Sequence, residues 1–204
     1  MAAKTFTLLR HGKVDGQPAL YGHTDVALSA QGYSDLAAAI ARIHVQAPIH
    51  NIVSSPLLRC AAVAHSFAAE HKIPLQLEPQ LKEMHFGHWD GVAFDSLGNS
   101  WQELEAFWHS PAVVTPPAGE TLDAFAQRVI QAWEWLAKSN SGQHQLIVCH
   151  GGVIRIILAH ILQIDWRNAS WFKQLHIEYN SSTRIEIADH AAAKAQIKWI
   201  GSQS

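Results

Sequence analysis

The chain has 204 residues, 48% of them hydrophobic and 16% charged, with a formal net charge of −2. That length buries a large core without disulfides or structural metal, and the charge balance gives no electrostatic reason to expect nucleic acid or an anionic membrane as partner. Any preference for an anion must therefore be built locally.

The opening run Lys4-Thr5-Phe6-Thr7-Leu8-Leu9 reads as a β-strand, without the apolar core and cleavage site of a signal peptide, so a cytoplasmic enzyme is expected. Leu36, Ile40 and Ile43 recur at helical spacing behind an N-cap at Ser29 and stop before Pro48; the spacing predicts a helix. Asn51 to Ser54 has the look of a short buried strand, and a second helix is expected from about Pro56 to His71, ended by Pro74. The stretch at about 89–117 is irregular, with a short aromatic helix near Trp101 to Trp108. It reads as a lid-like insertion within a single domain spanning 1–204.

After the breaker Pro116-Pro117-Ala118-Gly119, the residues Leu122, Phe125, Val129, Ile130, Trp133 and Leu136 form an apolar stripe of period 3.6. Leu146 to Cys149 predicts another strand, and Gly151-Gly152 opens a helix whose apolar run, Val153 to Leu162, is broken by Arg155 and His160 and is too short to span a bilayer. His176 to Tyr179, Arg184 to Ile187 and Ile197 to Ile200 are expected as edge strands. Strands alternating with amphipathic helices predict an α/β fold, a three-layer α/β/α arrangement around a mostly parallel central sheet. Cys60 and Cys149 sit in apolar stretches and read as buried hydrophobes.

Open parallel sheets bind ligands at the carboxyl ends of their strands. There the chain carries Arg10-His11-Gly12 after the first strand, Ser55-Pro56 leading to Arg59 after another, and His150-Gly151 after a third. Arginine's planar fork matches the oxygens of a phosphate monoester, and helix N-termini expected after Gly12, Pro56 and Gly151 add backbone donors. A nucleophilic histidine must be neutral, with its second ring nitrogen held by an acceptor, and Gly12 permits close backbone approach. Taken singly, any of the 14 histidines is better read as a surface or structural residue; joint placement at three strand ends carries the reading. His85-x-x-His88 followed by Asp90 is the best local metal candidate, but on a strand the two histidines fall on opposite faces, and no Cys cluster or His-Glu-x-x-His accompanies them, so no metal is expected.

Six ordered blocks resemble the histidine phosphatase superfamily, with its phosphoglycerate mutase-like fold, over nearly the whole length. They are Leu9-Arg10-His11-Gly12; Gly22-His23-Thr24-Asp25 with Leu28-Ser29 and Gly32; Ser54-Ser55-Pro56-Leu57-Leu58-Arg59; Leu81 to Gly91; Gly119-Glu120-Thr121; and Val148-Cys149-His150-Gly151-Gly152. The resemblance implies His11 as nucleophile, Arg10, Arg59 and His150 as binding the transferring phosphoryl group, and Glu83 as proton donor; beside it, Gly151 at a helix start and His85 at the pocket mouth are expected as further substrate-binding residues. It implies a small-molecule phosphate ester as the partner and no cofactor. Met84, Phe86 and Trp89 give Glu83 the partly apolar setting that a proton-donating carboxyl needs.

Mutases of this superfamily hold a bisphosphate with extra basic residues, whereas Gly91 to Ala118 contains no Lys or Arg, so hydrolysis is favoured over mutase chemistry. A non-catalytic phospho-ligand binding module is a further alternative, but it has no need of a nucleophile and proton donor together. Glu83 to Gly91 further resembles the bacterial α-ribazole-5′-phosphate phosphatases of cobalamin nucleotide-loop synthesis, whose substrate carries a flat base suited to Phe107 or the tryptophans Trp89, Trp101 and Trp108; related sugar-phosphate phosphatases share the motif, so a broad-specificity sugar-phosphate phosphatase is the alternative. The loop after Gly12 departs from many relatives at Lys13, Val14 and Gln17, and Lys13 is the residue there that can supply charge. Oligomeric state is left open by the sequence, a homodimer included.

Overall fold

The computed structural model describes residues 3–98, 100–139, 143–188 and 194–202. The strands are β1 (Lys4–Arg10), β2 (Asn51–Ser54), β3 (Leu75–Leu77), β4 (His144–Cys149), β5 (Ser182–Ile187) and β6 (Ala195–Ser202). They form one six-stranded sheet in the order β3-β2-β4-β1-β5-β6. The first four are mutually parallel, and β5 and β6 join antiparallel beyond β1. The helices are α1 (Ala30–Gln46), α2 (Leu58–His71), α3 (Ser100–His109), α4 (Leu122–Ser139), α5 (Gly151–Leu162) and α6 (Ala169–Gln174).

Alternation along the central strands assigns each side chain to one of two cores. Phe6 and Leu8 of β1, with Ile147 and Cys149 of β4, pack with α4 and α5 through Phe125, Val129, Trp133, Val153 and Ile157. Leu9, Ile52, Leu146 and Val148 point the other way, onto Leu36, Ile40 and Ile43 of α1 and Val63, Ala64 and Phe67 of α2. Each such fully buried aliphatic or aromatic side chain contributes about 1.5–3 kcal/mol, so the sheet is held from both faces. Both cysteines are buried and free.

The helix starts follow their local chemistry. Ser29 caps α1 by accepting Gly32 N–H at 3.0 Å, Thr121 accepts Ala124 N–H at the start of α4, and Asp25 accepts Leu58 N–H at 2.6 Å to cap α2 from a distant loop. The periodic stripe predicted from Leu122 becomes α4, and the aromatic segment within 89–117 becomes α3. No helix among the described residues is long and apolar enough to cross a membrane.

Three expectations are corrected. His176 to Tyr179 is not a strand; the Ile177 carbonyl is taken by the Arg10 guanidinium at 2.6 Å, so its hydrogen bonding is spent on the arginine rather than on a ladder. No helix follows Gly12: the chain turns back on itself through Val14 pairing Leu28 and Asp15 N–H donating to Ala27, and α1 starts only at Ala30. The segment holding His85 and His88 is a loop and a 3-10 turn over Gly87–Trp89 rather than a strand. The edge strand β3 has three residues, too few for a period to register in sequence.

Candidate active site

The parallel register places Arg10 opposite Cys149 and Ser54 opposite Val148, so the carboxyl ends of β1, β2 and β4 lie side by side. His11 continues from β1, its N–H donating to the Cys149 carbonyl at 3.0 Å. Its Nδ1 lies 2.8 Å from the Gly12 carbonyl oxygen; a carbonyl only accepts, so Nδ1 carries the proton and Nε2 keeps the lone pair. Burial above all, then the charges of Arg59 and Arg10, holds the His11 pKa well below its ordinary 6.5. The ring is therefore neutral and nucleophilic at neutral pH. Gly12 itself is obligatory, because a Cβ there would run into the Gly32 carbonyl at the start of α1.

His11 lines a cavity of about 170 Å³ together with Arg10, Val14, Tyr21, Glu83, Phe86 and Tyr179, among others. Arg10 lies over the Tyr179 ring, 4.0 Å from its centre, while its Nε is buried without a partner. An orphaned guanidinium N–H beside a neutral histidine is a donor waiting for an anion.

Glu83 sits in the loop after the 3-10 turn Pro79–Leu81. One carboxylate oxygen accepts Met84 N–H at 3.1 Å and the other accepts Gly152 N–H, in the first turn of α5, at 3.0 Å. Gly152 makes this fit possible, since a Cβ there would collide with that carboxylate. The backbone around Glu83 is fixed by Arg128, which donates to the carbonyls of Gln80, Lys82 and Glu83 and pairs with Glu120.

Arg59 and His150 are fully buried and are not among the residues lining the cavity. Arg59 Nε donates to His150 Nδ1 at 3.3 Å, and its terminal nitrogens donate to the carbonyls of Tyr21, Gly22 and Thr24 at 2.7–3.0 Å. His150 Nε2 then carries the proton and donates to Ser55 Oγ at 2.8 Å. The His150 ring stands 5.2 Å from that of His11, and burial, then Arg59 and His11, keeps it neutral. Arg10, His11 and Glu83 thus meet in one cavity, with Arg59 and His150 packed beside them.

The loop that carries those carbonyls is held by Asp90. Its carboxylate accepts the N–H groups of Gly22, His23, Thr24 and Phe86 at 2.7–3.2 Å. Burial opposes its charge, but the backbone donors and the Thr24 hydroxyl outweigh it and lower the Asp90 pKa below the ordinary 3.8. One carboxylate thereby ties the loop gripping Arg59 to the segment presenting Glu83.

His85 lies against His23 with ring centres 4.7 Å apart and planes tilted by 46°; it lines neither the cavity at His11 nor a second, larger one that shares Leu20, Glu83 and Phe86 with it, and His88 is exposed. With the Asp90 oxygens already occupied, His85, His88 and Asp90 do not assemble as ligands, and no group of three metal-binding side chains occurs among the described residues. Lys13 is exposed and absent from the cavity wall, where Val14 stands instead. Of the tryptophans, Trp89 is buried in the core and Trp108 lines the second cavity, while Trp101 packs behind it at 5.6 Å. Sequence reasoning missed Tyr179 and Arg128 in the site; Ser55 and Asp90 lay within recognised blocks, Ser55 with no role assigned and Asp90 weighed only as a metal ligand.

The model of the histidine phosphatase superfamily (branch 1) matches residues 6–199, and the chain belongs to that family. It is 30% identical over 185 residues, 89% of this chain and 90% of the relative, to an adenosylcobalamin/alpha-ribazole phosphatase of Salmonella typhimurium. It is 27% identical to a bifunctional protein of Mycobacterium tuberculosis, covering 93% of this chain but only 52% of that protein. The chain thus spans about half the length of the first mycobacterial relatives it matches. Among solved structures, Bacillus stearothermophilus YhfR superposes with a TM-score of 0.86 at 22% identity over 98% of this chain and 99% of that one. The alpha-ribazole phosphatase of Shigella flexneri does so at 0.82 and 23%, over 98% and 97%.

Proposed function

We propose that the chain is a phosphomonoesterase acting through a phosphohistidine on His11, with α-ribazole 5′-phosphate as its substrate. The observation that carries the reading is the His11 ring, pinned through Nδ1 to the Gly12 carbonyl and lining one cavity with Arg10 and Glu83.

His11 Nε2 attacks phosphorus while the ester P–O bond breaks; Arg10 takes phosphoryl oxygens through its unpaired N–H. The nearby Arg59 contributes charge, and His150, fixed between Arg59 and Ser55, flanks the nucleophile. Glu83, entering as the acid, gives its proton to the departing alkoxide; the resulting carboxylate then takes a proton from water, whose oxygen attacks phosphorus. The N–P bond breaks, its electrons return to Nε2, and inorganic phosphate leaves.

Support for the substrate comes from a second cavity of about 250 Å³ that shares Leu20, Glu83 and Phe86 with the first and is walled by Phe107, Trp108 and Phe172. A flat aromatic base fits such walls. The excursion 89–117 forms part of that wall and acts as a lid. The test is incubation with ³²P-labelled α-ribazole 5′-phosphate in EDTA, with acid-labile phosphoprotein trapped and phosphate release followed, repeated with His11→Ala. Release with a trapped intermediate that His11→Ala abolishes is expected; no intermediate and no release would remove the reading, and transfer to a second alcohol would make the chain a mutase.

A further inference from the structure

Arg155 is the charge that interrupts the apolar run of α5, and the proposed chemistry leaves it without a task. It is half-buried, in the turn after Gly152, with Nε donating to the Leu175 carbonyl at 2.8 Å. No carboxylate among the described residues pairs with it at salt-bridge distance. Glu83 acts on it only from beyond that distance, and a half-buried cation without a paired counter-charge is unfavourable unless a ligand completes it.

Its position says which ligand. Arg155 lines the larger, aromatic cavity with Glu83, Gly152, Phe86, Phe107 and Phe172, and is absent from the cavity holding Arg10 and His11. Glu83 stands between the two and lines both. The segment 91–118, which supplies much of the apolar wall, contains no Lys or Arg, and Lys173, the other cation on this wall, is exposed.

We infer that Arg155 is the polar anchor for the leaving alcohol, donating to an acceptor oxygen near the ester while the apolar remainder of the alcohol lies between the aromatic walls. This rests on the phosphatase reading. It defines the substrate class as monoesters of alcohols with a hydroxyl or ring oxygen beside the ester and a flat apolar body beyond, ribosyl-type alcohols among them. Plain aryl-alkyl phosphates would fill the walls and leave Arg155 unpaired.

The test uses two phosphonates that cannot be hydrolysed: benzylphosphonate, aromatic without an acceptor oxygen, and a ribosyl-benzimidazole 5′-phosphonate. Calorimetric Kd values are measured for the wild type, Arg155→Met and Arg155→Lys, with thermal unfolding as a check on each variant. The wild type should bind the ribosyl compound about 10–100-fold more tightly, the scale of a hydrogen bond to a charged donor. Arg155→Met should remove that preference and leave benzylphosphonate within about twofold. Equal weakening of both ligands, or a preference that survives Arg155→Met, overturns the inference. If Arg155→Met does not fold, Arg155→Lys decides: it loses the fork, so an undiminished preference overturns the inference and a reduced one supports it. Turnover of the matching phosphates is read separately, so absent hydrolysis would remove the phosphatase reading while the binding result stands.

Discussion

Arg59 and His150 are joined by one hydrogen bond, guanidinium Nε–H donating to imidazole Nδ1 at 3.3 Å, which fixes the tautomer of one from the geometry of the other. The same guanidinium holds three carbonyls of the loop from Tyr21 to Thr24. Arg59→Met leaves those acceptors and His150 Nδ1 without a donor, and each buried orphan costs about 1–3 kcal/mol. Urea unfolding of Arg59→Met should show a loss of roughly 3 kcal/mol or more, with activity abolished. Arg59→Lys, with three donors on one atom, should recover part of the stability and little of the turnover. A stable, active Arg59→Met protein would contradict this geometry.

Asp90 acts one step further back. Asp90→Ala removes the acceptor of four N–H groups and is expected to destabilise by about 2–3 kcal/mol. Because the loop it releases grips Arg59 and the segment beside it presents Glu83, kcat should fall more than KM rises. Asp90→Asn, keeping one acceptor oxygen, should fall between. Equal kinetics in all three proteins would mean that the loop holds its shape without the carboxylate.

Gly152→Ala tests Glu83 without touching it. The added methyl collides with the Glu83 carboxylate, so hydrolysis of alkyl phosphates, which need a proton donor, should slow by roughly 10²–10⁴-fold. Phosphorylation of His11 by an aryl phosphate with a good leaving group should slow far less. Parallel losses on both would place the damage at the nucleophile instead.

Two pH effects follow from the buried histidines. Protonated His11 cannot attack, and its pKa lies well below 6.5; between pH 7 and about 6 the rate on a good leaving group should change by less than about twofold. An inflection near 6.5 would assign His11 an ordinary, solvated imidazole. For stability, His11, His150 and His144 all have native pKa values below that of the unfolded chain. Below about 6.5 the unfolded chain therefore binds more protons, so stability is full above that pH and falls as pH drops. His144, lowered to about 4 by burial and then by Arg184, accepts from the Thr7 hydroxyl and donates to the Ala47 carbonyl. Urea midpoints at pH 7.5 and 5.5 should differ less in His144→Gln than in the wild type.

The strands of the central sheet were legible because β1, β2 and β4 are short apolar runs, β1 ending at Arg10-His11 and β4 followed by His150, and α4 because six apolar residues repeat at helical spacing. Arg10, His11 and Glu83, which line one cavity, stood out through their sequence blocks. Arg59 and His150 were found but their surroundings were not: three carbonyls and a serine hydroxyl holding two side chains leave no pattern in a sequence, because backbone acceptors are the same at every residue. Tyr179 was hidden for a related reason. It meets Arg10 in a segment that looked like a strand, and only the folded path shows that the Ile177 carbonyl is claimed by that arginine. His85, expected at the pocket mouth, lies against His23 and lines neither cavity beside Glu83.

The acceptor that sets the His11 tautomer is the carbonyl of the next residue in the chain, not a side chain from elsewhere. Mutational drift in the rest of the protein can remove carboxylates and hydroxyls, but it cannot delete a peptide oxygen. The placement of the proton on the His11 ring is therefore insulated from sequence change everywhere except where the peptide plane itself is held, at Gly12 and at the Gly32 it rests against. On the proposed function, substrate preference can diverge through Val14, Arg155 and the aromatic wall while the His11 nitrogen that would react stays the same.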